Sequence, residues 1–314
     1  MYHILVLESL GAEGLAILNN HSSFSVTVSL DTPKEELKQK IADYDCVLVR
    51  SQTEVNRELI NSAPKLKLIG RAGVGVNNID INCAQERGIA VINTPSGNSI
   101  STAEFAFGLM LALARNVALA HQHTQNGQWS RSQFVGSELA YKKLGIIGFG
   151  NVGRLLAERA KAFAMKVFAF DPLVESSAMS DQGVEKLSLE ELLKNSDIIS
   201  LHCGLNAQTQ HIINNNNISI MKPGMMLINA ARGELIDDNA LLKALEEGRI
   251  SKAAIDVYAV EPPTKNHPLL NHPQIITTPH LGASTHEAQK RVATLLAEQT
   301  ISFFSGSKNI TRVV

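Results

Sequence analysis

Three polar side chains, each just beyond an apolar run, have the types needed to move a proton and steady an anion. They are Arg232 in "MMLINAARGELID", Glu261 in "AAIDVYAVEPP" and His280 in "IITTPHLGAST". A guanidinium can fork onto a carboxylate and polarise a carbonyl. An imidazole paired with a carboxylate is held in one tautomer and stabilised when protonated, which suits proton exchange near neutral pH. Pro262 and Pro263 restrict the chain after Glu261, Pro279 restricts the approach to His280, and Gly282 permits a turn beyond it. Other histidines read as ordinary: His267 and His272 fall in a Pro-rich loop region, and His121 and His123 are two apart on an expected helix, where they do not share a face. The expectation is acid–base chemistry without a metal.

A second constellation points to a nucleotide. In "KLGIIGFGNVGRLLAERAKAFAMKVFAFD", Lys143 to Asp171, an apolar run leads into Gly148, Gly150 and Gly153, then a helical pattern, then a second apolar run, Val167 to Phe170. Strand, glycine turn, helix and strand in that order let a pyrophosphate sit on the helix N-terminus. Asp171, about twenty residues on, can accept from a ribose diol. It is followed by Pro172 and Leu173 with no arginine beside it, so it would repel a 2′-phosphate. NAD is expected over NADP.

These groups need sheets to position them, and the first half of the chain supplies one of its own. Apolar runs at His3–Leu7, Val26–Leu30, Cys46–Val49, Leu66–Ile69 and Ile89–Ile92 alternate with helical patterns such as "PKEELKQKIADY". That alternation predicts a doubly wound α/β domain. Arg50 and Arg71 fall just past strand ends, where such sheets bind ligands, and Gly73-Val74-Gly75 can form a small anion nest. A small dianionic substrate is therefore expected. "NSISTAEFAFGLMLALARN" predicts a helix buried all round, with Ser99 or Ser101 as N-cap and Glu104 completing a capping box. Ser284 to Glu287 predicts a second box, opening a long helix that returns to the first domain, and "NNNN" at Asn214–Asn217 reads as a loop.

Composition narrows the classes. The 314 residues are 44% hydrophobic and 19% charged with net charge −1, enough chain for two cores and no basic field for nucleic acid. "MYHILVLESL" reads as a first strand rather than an export signal, and the longest apolar stretch, Phe105–Ala114, is about half a membrane span. Cys46, Cys83 and Cys203 are far apart and in no CxxC pair, which suits a reducing cytoplasm.

"GRAGVGVNNID", "NTPSGNSISTAE", "GFGNVG" with Asp171, "NAARGELID", "AAIDVYAVEPP" and "PHLGAST" together resemble the D-isomer-specific 2-hydroxyacid dehydrogenases over nearly the whole chain. The resemblance implies an α/β fold of two doubly wound parallel-sheet domains with a cleft between them. A flavodoxin-like substrate domain would comprise residues 1–98 plus 286–314, and a Rossmann NAD-binding domain residues 99–285. It implies that Arg232, Glu261 and His280 are catalytic, and that Asp256 holds the nicotinamide carboxamide. Asn151, Val152, Asp171, Cys203 and Ala230 join Gly148, Gly150 and Gly153 as cofactor residues. Arg50, Ser51, Arg71, Val74, Gly75 and Asn98 become the substrate set, with Arg131 a weaker candidate reaching in from a neighbouring subunit of a homodimer.

The implied reaction is NAD-dependent oxidation at C2 of 3-phospho-D-glycerate, with His280 as general base. Glyoxylate or hydroxypyruvate reduction and D-lactate oxidation would use the same catalytic three, and a cofactor-sensing corepressor is a remote alternative. The partners expected are a small phosphorylated hydroxyacid and a second copy, with no nucleic acid and no membrane. Two departures stand out: Gly204 replaces a usual proline and is expected to loosen its loop, and Asn77 replaces a usual aspartate. No serine-sensing regulatory domain is expected after the returning helix.

Overall fold

The computed structural model describes every residue except Asp31, Lys308 and Asn309. Its contacts divide the chain into two compact units, Met1–Ser99 with Ala283–Val314, and Ile100–Gly282.

The first unit is a parallel sheet of β1 (Tyr2–Val6), β2 (Phe24–Val28), β3 (Cys46–Val49), β4 (Leu68–Arg71) and β5 (Ala90–Ile92) in the order β2-β1-β3-β4-β5. Its inner strands are continuous apolar runs because both faces are covered, and Ile4, Leu5, Val47, Leu48, Leu68 and Ile69 are all fully buried. Each such side chain contributes about 1.5–3 kcal/mol through burial. One face is closed by the helices Gly11–Asn19 and His286–Phe304, which pack together closely enough that a Cβ on Gly14 would stand 3.0 Å from the Ala293 carbonyl oxygen. The long helix starts one residue later than its sequence signal: Thr285, not Ser284, is the N-cap, and its hydroxyl accepts from the Ala288 N–H at 3.1 Å. A threonine hydroxyl can cap a helix there as a serine does.

The second unit holds β6 (Lys143–Ile147), β7 (Lys166–Phe170), β8 (Glu185–Lys186), β9 (Ile198–Leu201), β10 (Met225–Asn229), β11 (Ile250–Ile255) and β12 (Ile275–Thr277). Every pairing is parallel and the order is β12-β11-β10-β9-β6-β7-β8. Two apolar cores flank the sheet, one of them built around Ala103, Ala106, Met110 and Leu113 of the helix Ser99–Ala114. That helix departs from expectation twice. It already begins at Ser99, so Ser101 and Glu104 lie inside it rather than at its cap. It is also not buried all round, because Ile100, Glu104 and Gly108, four residues apart and hence on one face, are exposed.

The asparagine run is not a loop either. Asn215–Ile218 form a helical turn capped by Asn214, whose side chain accepts from Asn217 N–H while the Asn217 side chain accepts from Asn214 N–H. Asparagine side chains can cap themselves in this way, which the sequence reading overlooked. Among the described residues no single helix is long and apolar enough to cross a membrane.

Candidate active site

In the second unit the parallel register gathers the candidate residues on one edge. Ile147 pairs with Leu201, Leu201 with Asn229, Asn229 with Ile255, and Ile255 with Thr277, so β6, β9, β10, β11 and β12 end side by side. The glycine turn follows β6, Cys203 follows β9, Ala230 and Arg232 follow β10, Asp256 and Glu261 follow β11, and His280 follows β12. The chain order reverses between β6 and β9, the switch point beyond which open α/β sheets bind ligands.

The glycine turn has the shape an anion requires. Gly148 has φ +96°, and a Cβ on it would stand 2.4 Å from the Cys203 amide nitrogen. Gly153 brings the helix Asn151–Ala162 so near the strand that a Cβ there would lie 2.3 Å from the Gly148 carbonyl oxygen. Gly150 is the helix N-cap with no side-chain cap, and the space where its Cβ would stand is open to 4 Å. The first amides of a twelve-residue helix thus stand uncapped beside an open cradle, which fits a pyrophosphate. Asp171 steadies the same turn: its carboxylate accepts from Phe149 N–H at 2.8 Å and Leu173 N–H at 2.9 Å, and each oxygen keeps acceptor capacity for a ribose hydroxyl. Asn151 is exposed at the start of the helix, whereas Val152 packs partly into the core. Burial pushes the Cys203 thiol up to about 11, so Cys203 meets this turn as a neutral group. Gly204 does not leave a slack loop, since its carbonyl accepts from the Thr209 hydroxyl at 2.7 Å and Asn206 caps the same turn.

His280 and Glu261 meet directly: Nδ1 of the imidazole lies 2.6 Å from Oε2 of the carboxylate. The other carboxylate oxygen accepts from Tyr258 N–H at 3.0 Å, which fixes Glu261 from behind. Their side chains are 50% and 35% exposed, so the dyad is open to a ligand. His280 has φ +56°, a left-handed conformation that costs a non-glycine residue about 1–3 kcal/mol and persists only where its surroundings impose it. The surroundings here are Asp256. His280 N–H donates to the Asp256 carbonyl at 2.8 Å, and the Asp256 carboxylate, 0% exposed, accepts from the Thr278 hydroxyl, Leu281 N–H and Gly282 N–H at 2.6, 2.8 and 2.9 Å.

Arg232 is fixed in a similar way by a buried neighbour. Asn229 accepts from Ala231 N–H at 3.1 Å and donates to the Arg232 carbonyl at 2.8 Å, closing the turn that carries Ala230 and Arg232. The guanidinium itself donates to the Ala231 carbonyl. Asn229 and Thr278 were missed in the sequence, although a polar residue closing an apolar strand directly before "AARG" was a usable signal.

The cations of the first unit sit at or just past strand ends. Arg71 is the last residue of β4 rather than past its end, and Arg50 directly follows β3. Gly73 turns its N–H back onto the Arg71 carbonyl at 2.9 Å, so the expected nest reduces to Val74 and Gly75. Asn93 donates to the Val74 carbonyl at 2.7 Å, and Thr94 N–H to the Gly73 carbonyl at 2.9 Å. Ser51 is exposed on the loop after β3, and Asn98 is half-buried just before the helix that begins at Ser99.

Comparison with known proteins places these motifs. Residues 107–282 match the family model for the NAD-binding domain of the D-isomer-specific 2-hydroxyacid dehydrogenases. The chain is 47% identical over 95% of its length to D-3-phosphoglycerate dehydrogenase of Methanocaldococcus jannaschii, of which it spans 57%. It is 43% identical over 95% of its length to hydroxypyruvate reductase of Thermotoga maritima, of which it spans 97%. Among solved structures, glyoxylate reductase from Paecilomyes thermophila superposes with a TM-score of 0.90 at 31% identity, covering 99% of this chain and 98% of that one.

Proposed function

Since this chain belongs to the D-isomer-specific 2-hydroxyacid dehydrogenase family, we propose that it oxidises 3-phospho-D-glycerate to 3-phosphohydroxypyruvate with NAD. The observation that carries the chemistry is the His280–Glu261 contact of 2.6 Å. With Nδ1 bonded to the carboxylate, Nε2 is the ring atom left to take the C2 hydroxyl proton. Glu261 stabilises the imidazolium so formed. Arg232 holds the substrate carboxylate and polarises the carbonyl as it develops. Bound NAD supplies the acceptor for the C2 hydrogen as hydride. Gly148, Gly150, Asn151, Val152 and Gly153 would hold its pyrophosphate, Asp171 its ribose, and Cys203 and Ala230 its flank. Asp256, whose carboxylate is 0% exposed where it holds the His280 loop, would have to turn an oxygen outward to hold the carboxamide.

The phosphorylated substrate is favoured by the cations of the first unit. Arg50 and Arg71 bind the phosphate, helped by Ser51 and Asn98, and the Val74 and Gly75 amides bind the carboxylate. The Methanocaldococcus relative's name supports this choice. Reduction of hydroxypyruvate is the second reading, favoured by the Thermotoga relative that the chain matches almost end to end. A homodimer is part of the proposal, because Val117, Trp129, Val135 and Tyr141 of the second unit present exposed apolar side chains. Arg131, exposed in the same segment, is the candidate to enter the partner's site. A cytoplasmic location accords with three unpaired cysteines, two of them buried.

The test is NADH formation by the purified protein with 3-phospho-D-glycerate, D-glycerate and D-lactate, and NADH consumption with hydroxypyruvate and glyoxylate. A kcat/KM for the phosphorylated acid below that for D-glycerate would overturn the substrate. Cofactor binding without turnover of any of the five would overturn the enzyme reading.

A further inference from the structure

The loop Arg50–Thr53, which carries two of the proposed substrate residues, is gripped on both sides of its main chain by side chains outside the catalytic set. Glu8, two residues beyond β1, accepts through Oε1 from Arg50 N–H and Thr53 N–H, both at 2.9 Å, and through Oε2 from Gln52 N–H at 3.2 Å. Asn78 donates through Nδ2 to the carbonyls of Arg50 and Thr53, at 2.9 and 2.7 Å. Asn78 is itself anchored, because Val55 N–H donates to its carbonyl at 2.8 Å and Asp80 N–H to the Val55 carbonyl at 3.0 Å, closing a parallel bridge between Val55 and Ile79.

The location matters as much as the bonds. In the order β2-β1-β3-β4-β5 the chain leaves β1 to one side and returns as β3 on the other, so Glu8 and Arg50 flank the switch point of the first unit. A cavity of about 730 Å³ opens there, with Glu8, Glu54, Glu58, Lys38, Arg50 and Ser51 among the residues that line it. Three amides converging on one point make a backbone anion site. Glu8 occupies that site, so the Arg50 side chain, and not the loop's main-chain amides, is left to meet an incoming anion.

We propose that Glu8 and Asn78 are positioning residues for substrate, fixing the Arg50–Thr53 main chain so that the Arg50 guanidinium and Ser51 hydroxyl meet the substrate's charged end in one conformation. The inference rests on the reading of Arg50 and Ser51 as substrate-binding residues. A charge-assisted hydrogen bond is stronger than a neutral one, so Glu8 is the larger of the two constraints. Because the proton-transfer pair lies on other loops, Glu261 after β11 and His280 after β12, the effect of Glu8 and Asn78 falls on KM and not on kcat.

The experiment compares Glu8→Ala, Glu8→Gln, Asn78→Ala and Arg50→Ala in the full chain, by steady-state kinetics on the best substrate of the wild type, NADH titration and amide hydrogen exchange. Glu8→Ala and Asn78→Ala should raise KM about tenfold or more, leave kcat and NADH affinity near wild type, and speed exchange at Arg50, Gln52 and Thr53. Glu8→Gln, which keeps one acceptor oxygen, should recover part of the KM. If Glu8→Ala does not fold, Glu8→Gln and Asn78→Ala carry the test. An unchanged KM in the Glu8 and Asn78 variants, or a fall in kcat alone, overturns the proposal. If Arg50→Ala also leaves KM unchanged, the reading of Arg50 has failed and the proposal falls with it; a raised KM in Arg50→Ala alone sinks only the proposal.

Discussion

The main-chain N–H of His280 donates to the carbonyl of Asp256 at 2.8 Å, while the carboxylate of the same aspartate takes three further donors from residues on either side of that histidine. One buried side chain therefore holds the left-handed turn in which His280 is presented. Asp256→Ala should leave those donors unpaired and destabilise the protein by about 1–3 kcal/mol, with kcat falling more than NADH affinity. Thermal unfolding alongside steady-state kinetics checks both, and an unchanged kcat would separate the turn from the chemistry.

The dyad makes a sharper demand. His280→Ala should lower kcat about 10²–10⁴-fold with NADH affinity close to wild type. Glu261→Gln should lose turnover by a comparable factor, because with its amide oxygen on Tyr258 N–H the NH2 faces the ring and donates to Nδ1, which puts the ring proton on Nε2 and blocks the base. If Glu261→Gln kept full turnover, the carboxylate would have no role in proton transfer.

The three turn glycines should separate by mechanism. Gly153→Ala forces a Cβ to 2.3 Å from a backbone oxygen and Gly148→Ala to 2.4 Å from a backbone nitrogen at positive φ. Each should destabilise by about 1–3 kcal/mol through overpacking. Gly150→Ala meets nothing within 4 Å, so its Tm should stay near wild type while NADH affinity falls. A wild-type NADH Kd in Gly150→Ala would remove the pyrophosphate from that spot.

Arg50→Ala should weaken 3-phospho-D-glycerate far more than D-glycerate, by about tenfold or more in the ratio of their kcat/KM values. Equal losses on both would contradict the phosphate assignment.

Acid stability should carry a signature of His202. Burial lowers its pKa to about 4 from 6.5, with Nε2 hydrogen-bonded to the Ser200 hydroxyl at 2.8 Å. The unfolded chain therefore binds a proton that the native one does not between those two values. Stability is lost as pH falls through that window, by at most about 1.4 kcal/mol per pH unit from this one group. Denaturant titrations from pH 7 to about pH 4 should show His202→Gln losing less stability than wild type, and parallel slopes would refute the assignment.

Much of the second unit's site was legible because parallel strands announce themselves as apolar runs and because glycines and prolines mark the turns after them. The dyad of His280 and Glu261 could be expected from residue type and the punctuation around each. What sequence could not give was the hold on those loops. Asp256, Asn229, Glu8 and Asn78 act through bonds to main chain distant in sequence, and a polar residue looks the same whether it braces a loop or faces water. Helix starts also moved, one helix already running from Ser99 and the other capped by Thr285, because neighbouring hydroxyl residues can all cap and only packing decides among them.

The first unit is assembled from both ends of the chain: Val292, Ala293, Leu296 and Ala297 complete an apolar core begun by Ile4, Val6, Leu48 and Leu68. During synthesis, residues 100–282 emerge whole while the opening ninety-nine are still short of a wall. The part made first must wait, with one face of its sheet covered by Gly11–Asn19 alone, for the helix made later, and in that interval the nascent polypeptide is most in need of cover.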